Sequence, residues 1–221
     1  WGMTGTIPKE DFDRMSLIVS VGPVVGKIAA ADLQEMGVLA QCHVNILQLQ
    51  DHKEFGNYQE ELKYLLTNPD RLDFISQLVG GIAETGNTLV LVDRVASGEA
   101  LCALLGERSV FINGAMKSSD RKDHYDEVHE SDDKIIVATY GVAAVGINIP
   151  RIFNLVLLEP GKSFVRVIQS IGRGIRKAQD KDHVEIWDIT SSAKFSKKHL
   201  TTRKKYYEEA GYPYNVSKVK F

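Results

Sequence analysis

The chain has 221 residues, of which 43% are hydrophobic and 25% are charged, and its formal net charge is −2. These values are typical of a compact globular protein and exclude disorder throughout. The sequence contains no apolar run near the roughly 20 residues that cross a bilayer, and its first residues do not resemble a secretion signal, so we expect a cytoplasmic protein. Cys42 and Cys102 are isolated in sequence, which predicts neither a zinc site nor a disulfide, and we expect both thiols in or near the core.

The first 87 residues are predicted to form a linker followed by the leading helices of a domain. A plausible strand covers residues 44–49, and helical patterns cover 58–66 and 71–82 on either side of Asn68-Pro69. From residue 88 onward, short β-rich runs alternate with helical patterns. The predicted strands cover 88–92, 109–112, 135–138, 154–158 and 184–189, and the predicted helices 95–105, 118–130 and 163–177.

This alternation is typical of the doubly wound α/β class, with a mostly parallel sheet covered by helices on both faces. Ligands of such sheets bind at the carboxyl ends of the strands. We therefore divide the chain into 1–87, an α/β domain at 88–190, and a basic C-terminal helix and tail at 191–221.

The C-terminal segment 191–221 contains eight Lys or Arg residues and only two Glu. It is a basic segment on an acidic body. The candidate ligands for nucleic-acid phosphates in this segment are Lys197, Lys198, Arg203, Lys204 and Lys205. The alternative is a terminal helix, from about residue 192 to 210, that packs on the sheet through its aromatic residues and leaves a solvated charged face.

The helical pattern at 163–177 carries the strongest functional signal. Apolar residues recur at helical spacing on one side, whereas Gln169, Arg173 and Arg176 lie together on the opposite side. A solvated basic face that keeps the helix soluble would give the same periodicity. The spacing Gln169-x-x-Gly172-Arg173-x-x-Arg176, however, resembles motif VI of the superfamily 2 helicases, QxxGRxxR.

The resemblance to superfamily 2 helicases implies a RecA-like fold and a catalytic role for Arg173, Arg176 and Gln169. In this family the motif VI arginines reach across an interdomain cleft to ATP phosphates. A guanidinium group suits this task because it is always charged and presents a planar fork of donors to phosphate oxygens.

Residues 135–150 resemble motif V, with an apolar strand followed by a Gly-containing loop. The resemblance implies that Thr139 offers its hydroxyl to a nucleic-acid phosphate and that Gly146 and Asn148 border the nucleotide. Asn148 stands where many relatives have Asp. A strand followed by a Gly-Pro loop without a ligand is the alternative interpretation of this segment.

Three further segments resemble helicase motifs in the expected order. Asp93 and Arg94, after the strand at 88–92, resemble motif IV, and Gly114 and Arg121 belong to a segment that resembles motif IVa. The resemblance implies nucleic-acid contacts for these four residues. Residues 4–6, Thr-Gly-Thr, resemble motif III, which closes the first motor domain of the family. The motifs together cover about residues 4–176.

Three strings resemble motifs of the first motor domain without meeting their requirements. The string from Gly22 to Lys27 lacks the first glycine and the hydroxyl residue of a Walker A loop, and Gly161-Lys162-Ser163 also lacks the first glycine. Residues 126–129 spell Asp-Glu-Val-His but follow a polar stretch rather than an apolar strand. We interpret all three as coincidences. The chain is thus predicted to lack the half of the motor that binds ATP with Mg²⁺, and to be inactive in ATP hydrolysis when alone.

The resemblance implies a second motor domain whose partners are ATP with Mg²⁺, DNA and a first RecA-like domain. Gln169, in place of the His common in DEAD-box RNA helicases, favours the DNA recombination and repair branch, whose substrates include forks, four-way junctions and RNA–DNA hybrids. Two alternatives remain: an RNA helicase, which would share every motif, and a non-enzymatic nucleic-acid-binding module with a degenerate motor fold.

Overall fold

The computed structural model describes residues 2, 7, 10–146, 149, 151–162 and 181–221. Within these residues, the helices are α1 (Asp11–Val21), α2 (Ala30–Glu35), α3 (Tyr58–Thr67), α4 (Pro69–Ala83), α5 (Val95–Leu105), α6 (Ser118–His129), α7 (Tyr140–Gly146) and α8 (Lys194–Ala210). The strands are β1 (Gln41–Leu49), β2 (Thr88–Val92), β3 (Ser109–Ile112), β4 (Ile135–Thr139), β5 (Asn154–Leu158), β6 (His183–Ser191) and β7 (Tyr214–Val219). The predicted helix at 163–177 lies outside the described residues.

These strands form one sheet in the order β3-β4-β2-β5-β6-β1-β7, and every neighbouring pair is parallel. The predicted doubly wound parallel sheet is therefore confirmed. Two apolar clusters pack on opposite faces of the sheet: one includes Val44 and Ile186 with α8, and the other includes Val90 and Val156 with α4 and α5.

Local sequence explains where the central elements begin and end. Every residue of β2 and β5 is buried, as expected for continuous apolar runs in a sheet covered on both faces. Asn57 and Asn68 cap α3 and α4 because their side-chain oxygens accept hydrogen bonds from the backbone N–H groups of Glu60 and Arg71, at 3.0 and 2.9 Å.

The sheet crosses both predicted domain boundaries. β1, from the predicted linker region, pairs with β6 along its whole length and with β7 on its other side. The basic C-terminal segment is consequently part of the same domain, since α8 covers the sheet and β7 forms its edge. The sequence pattern did not predict β7. Gly211, with φ of +72°, ends α8 and lets the chain turn back toward β7.

The N-terminal part of the described chain differs from the rest in burial. Residues 10–28, which include α1, contain no buried residue, and Phe12, Met15 and Val19 of α1 are exposed. α1 therefore contributes little to the core. No described helix combines the length and apolar character needed to span a membrane.

Candidate nucleic-acid and nucleotide site

The carboxyl ends of three adjacent strands bring several predicted residues to one edge of the sheet. Asp93 and Arg94 follow β2, Gly114 follows β3, and Thr139 is the last residue of β4. Because β3, β4 and β2 are neighbours and all parallel, these residues lie along one stretch of the edge. This is the edge where ligands of doubly wound sheets bind.

The loop after β3 is shaped by its own side chains. Asn113 Oδ1 accepts a hydrogen bond from the N–H of Ala115 at 2.9 Å. The Arg121 Nη2 atom donates to the carbonyl oxygens of Asn113 and Met116, at 3.3 and 3.2 Å. Gly114 is exposed at the tip, whereas Arg121 is half-buried. Arg121 thus holds the loop in shape, in addition to any role toward nucleic acid.

Thr139 and Arg94 both stand at the start of a helix. Thr139 Oγ1 accepts a hydrogen bond from the N–H of Val142 at 3.4 Å, within the first turn of α7. Arg94 is exposed in the N-cap position of α5, and Asp93 beside it is half-buried. The amino ends of α5 and α7 therefore face this edge, where their partial positive charge favours anions.

The lysines of α8 are spread along the helix, and they differ in exposure. Lys197, Lys198 and Lys205 are exposed, and Lys204 is half-buried with its Nζ 5.9 Å from the ring centroid of Tyr214. α8 begins just after β6 ends and runs back across the sheet to β7. Lys197 and Lys198 consequently lie near the ligand edge, whereas Lys204 and Lys205 lie about 10 Å farther along the helix.

Arg203 departs from the expectation for this segment. Its side chain is only 1% exposed, and its Nε and Nη2 atoms donate to the two carboxylate oxygens of Asp188 at 2.8 and 2.9 Å. Its Nη1 atom donates to the carbonyl oxygen of Gly161 at 2.7 Å. Burial alone would lower the pKa of Arg203, but the facing Asp188 carboxylate raises it above its usual value. Arg203 is a charged structural residue, and its guanidinium is not available to DNA in this conformation.

A second buried ion cluster, which the sequence pattern did not predict, lies at the same edge. Glu159, just after β5, accepts a hydrogen bond from the Arg71 Nη2 atom at 2.5 Å. Arg71 also donates through Nη1 to the carbonyl oxygen of Leu65 at 2.9 Å, and its Nε atom lies 3.5 Å from a carboxylate oxygen of Asp51. Burial raises the pKa of Glu159, and the guanidinium groups of Arg71 and Arg203 oppose that rise.

Several predicted residues lie outside the described part of the chain. They are Gln169, Gly172, Arg173 and Arg176 of the motif VI resemblance, Asn148 of the motif V resemblance, and residues 4–6. Gly146 is described as the last residue of α7. The string Asp-Glu-Val-His at 126–129 lies within α6, which confirms that no strand precedes it.

The described residues show no group of three or more His, Cys, Asp or Glu arranged to hold a metal ion. Both cysteines are free; Cys42 is buried and Cys102 half-buried, as expected for thiols in or near the core. Burial raises the pKa of the Cys42 thiol to about 11.

Comparison with known proteins identifies the central part of the chain. Residues 70–178 match the family model described as "Helicase conserved C-terminal domain". This segment is a helicase C-terminal domain. The chain is also similar to the ATP-dependent DNA helicase UvsW of Enterobacteria phage T4, with 27% identity over 216 residues, 93% of this chain and 43% of UvsW. The chain thus spans less than half the length of this relative.

Solved structures share the fold of this helicase C-terminal domain. The crystal structure of T4 UvsW matches with a TM-score of 0.70 and 23% identity, over 82% of this chain and 42% of that one. The ATP-dependent Type ISP restriction-modification enzyme LlaBIII, solved bound to DNA, matches with a TM-score of 0.62 and 14% identity, over 93% of this chain and 17% of that one. The sheet is therefore the RecA-like sheet of helicase C-terminal domains.

Proposed function

We propose that this chain is the second motor domain of an ATP-dependent DNA helicase that remodels branched DNA in recombination and repair. The similarity to UvsW along 93% of the chain carries the proposal, because it covers the helicase domain together with the segments before and after it. The order of the motif resemblances along the sequence agrees with this proposal.

In this proposal ATP and Mg²⁺ are bound mainly by a first RecA-like domain of the same protein, and this domain completes the site. Arg173 and Arg176 contact the ATP phosphates, with Gln169 beside them, while Gly146 and Asn148 border the nucleotide. Bound ATP supplies the phosphoryl-transfer chemistry. The arginines of this chain stabilise the negative charge that develops on the phosphate oxygens.

The DNA backbone follows the ligand edge across β3, β4 and β2. Arg94, the exposed tip at Gly114 and the Thr139 hydroxyl face it, and Asp93 and Arg121 shape that surface. Lys197 and Lys198 extend the positive charge along the same edge, so that phosphate contacts dominate and base sequence matters little. Such a protein acts in the cytoplasm, and in that of the host if a phage encodes it.

The proposal is tested with the complete protein that contains this chain. Unwinding and ATP turnover are compared on a four-way junction, a replication fork, a linear duplex, an RNA–DNA hybrid and a matched RNA duplex. We expect ATP-dependent unwinding of the junction, the fork and the hybrid, with slower action on the linear duplex. Unwinding of RNA duplexes alone would favour an RNA helicase, and DNA binding without ATP turnover would favour a non-enzymatic module.

A further inference from the structure

The turn after β5 has an unusual backbone conformation. Glu159 has φ of +44° and is the one non-glycine residue with a positive φ among the described residues, and Gly161 follows with φ of +69°. A non-glycine residue in the left-handed region is strained and persists only where its surroundings hold it. Such residues are concentrated at functional sites.

Two buried arginines from different helices hold this turn at both ends. Arg71 of α4 donates to the Glu159 carboxylate at 2.5 Å, and Arg203 of α8 donates to the Gly161 carbonyl oxygen at 2.7 Å. Each arginine is itself fixed by a second partner, the carbonyl oxygen of Leu65 for Arg71 and the carboxylate of Asp188 for Arg203. Both guanidinium groups are shielded from solvent, since Arg71 is fully buried and Arg203 nearly so.

The location of the turn indicates that these contacts have a role beyond stability. The turn lies at the ligand edge of the sheet and leads directly into residues 163–180, the segment that contains Gln169, Arg173 and Arg176. We propose that Arg71 and Arg203 are positioning residues for ATP turnover: they fix the turn at Glu159–Gly161, from which the chain enters the segment that carries Arg173 and Arg176. This inference rests on the proposed helicase function.

The sharpest test changes the turn without touching the buried arginines. Gly161→Ala introduces a Cβ at φ of +69°, where the nearest atom is the Tyr58 hydroxyl at 4.0 Å, so the change acts on the backbone conformation rather than on packing. Gly106→Ala is the matched control. Gly106 has φ of +74° and open space around its Cβ position, but it lies after α5, away from the ligand edge.

In the complete protein, we expect Gly161→Ala to lower kcat for DNA-stimulated ATP turnover at least tenfold, with KM for ATP and DNA affinity changed less than threefold. Gly106→Ala should leave kcat within twofold of the parent. It should shift the thermal midpoint by about as much as Gly161→Ala does. A purely structural role for the turn predicts equal effects of the two variants on every readout, and that result would overturn the inference.

Arg203→Lys supplies a second, independent variant. Lysine keeps the positive charge beside Asp188 but cannot reach both Asp188 and the Gly161 carbonyl with the planar fork of arginine. It should reproduce the selective loss of kcat seen with Gly161→Ala. If the parent protein itself shows no DNA-stimulated ATP turnover, the proposed function fails; if the parent is active and Gly161→Ala matches Gly106→Ala, only the positioning role fails.

Discussion

Arg203 and Lys205 belong to one run of basic residues, yet their side chains meet opposite environments. Arg203 is buried against Asp188, whose side chain has no exposed surface, and Lys205 is exposed. Removing one partner of a buried ion pair leaves an uncompensated charge, at a cost of about 3–5 kcal/mol. We therefore expect Arg203→Ala to lower the free energy of unfolding of this chain by that amount and Lys205→Ala by less than about 0.5 kcal/mol. Urea unfolding measures both, and equal small effects would contradict the buried pair.

Arg176 carries the prediction that depends most directly on the family resemblance. In the complete protein, Arg176→Ala should lower ATP turnover by about 10³ to 10⁵ and leave nucleotide binding largely intact, because a finger arginine stabilises charge that develops only in the transition state. Arg173→Ala should behave similarly. Arg108→Ala is a suitable control, since Arg108 pairs with Glu84 away from the ligand edge. Normal turnover in both motif variants would assign the pair to a solvated helix face.

Among the elements, those with a simple pattern were predicted from sequence almost to the residue. β2 and β5 are short apolar runs between turns, and the predicted and observed ranges coincide. β7 was missed because an edge strand with one face toward solvent has mostly exposed residues and little apolar signal. The Arg71–Glu159 contact joins residues 88 positions apart. A buried arginine in a helix looks like a solvated one in sequence, so this part of the site could not be predicted.

The path of α8 across the sheet predicts that its lysines differ in their contribution to DNA binding. Lys197 and Lys198 lie near the ligand edge, whereas Lys204 and Lys205 lie farther along the helix. In the complete protein, changing Lys197 and Lys198 to Gln should weaken binding equally for all DNA sequences, because phosphates carry no sequence information. Each lost phosphate contact should also reduce the slope of log affinity against log salt by about 0.9.

Changing Lys204 and Lys205 to Gln removes the same charge and serves as the matched control. It should produce less than half of that effect on the salt slope. Equal effects of the two double variants would mean that the whole length of α8 contacts DNA, and no effect of either would assign these lysines to solubility.

At the scale of the whole molecule, the single sheet predicts which fragments of the chain fold. A fragment of residues 88–190 loses β1, α8 and β7, and with them the buried side chains of Val44, Ile46, Leu200 and Tyr207. At about 1.5–3 kcal/mol for each large apolar side chain, this loss is comparable to the roughly 5–15 kcal/mol of a typical domain. We expect this fragment to be unfolded.

The matched control is a fragment of residues 29–221, which removes only a segment whose described residues include no buried one. It should keep the free energy of unfolding of the full chain within about 0.5 kcal/mol, as is usual for changes away from the core. Circular dichroism and urea unfolding of the two fragments check both expectations. A folded 88–190 fragment would mean that the central strands form an independent domain.

The chain of 221 residues is also expected to hydrolyse no ATP by itself. Phosphoryl transfer by a motor of this kind needs a backbone cradle and a lysine for the phosphates, together with an acid that holds Mg²⁺. A P-loop lies between a strand and the start of a helix, but Gly22–Lys27 follows the end of α1 and the next helix begins only at Ala30. Asp126 and Glu127 lie inside α6 rather than after a strand.

Magnesium-dependent ATP turnover by the purified chain is the measurement, with Lys27→Ala and Glu127→Gln as companion variants. Turnover that persists through purification and is lost in either variant would show that these residues form a working site.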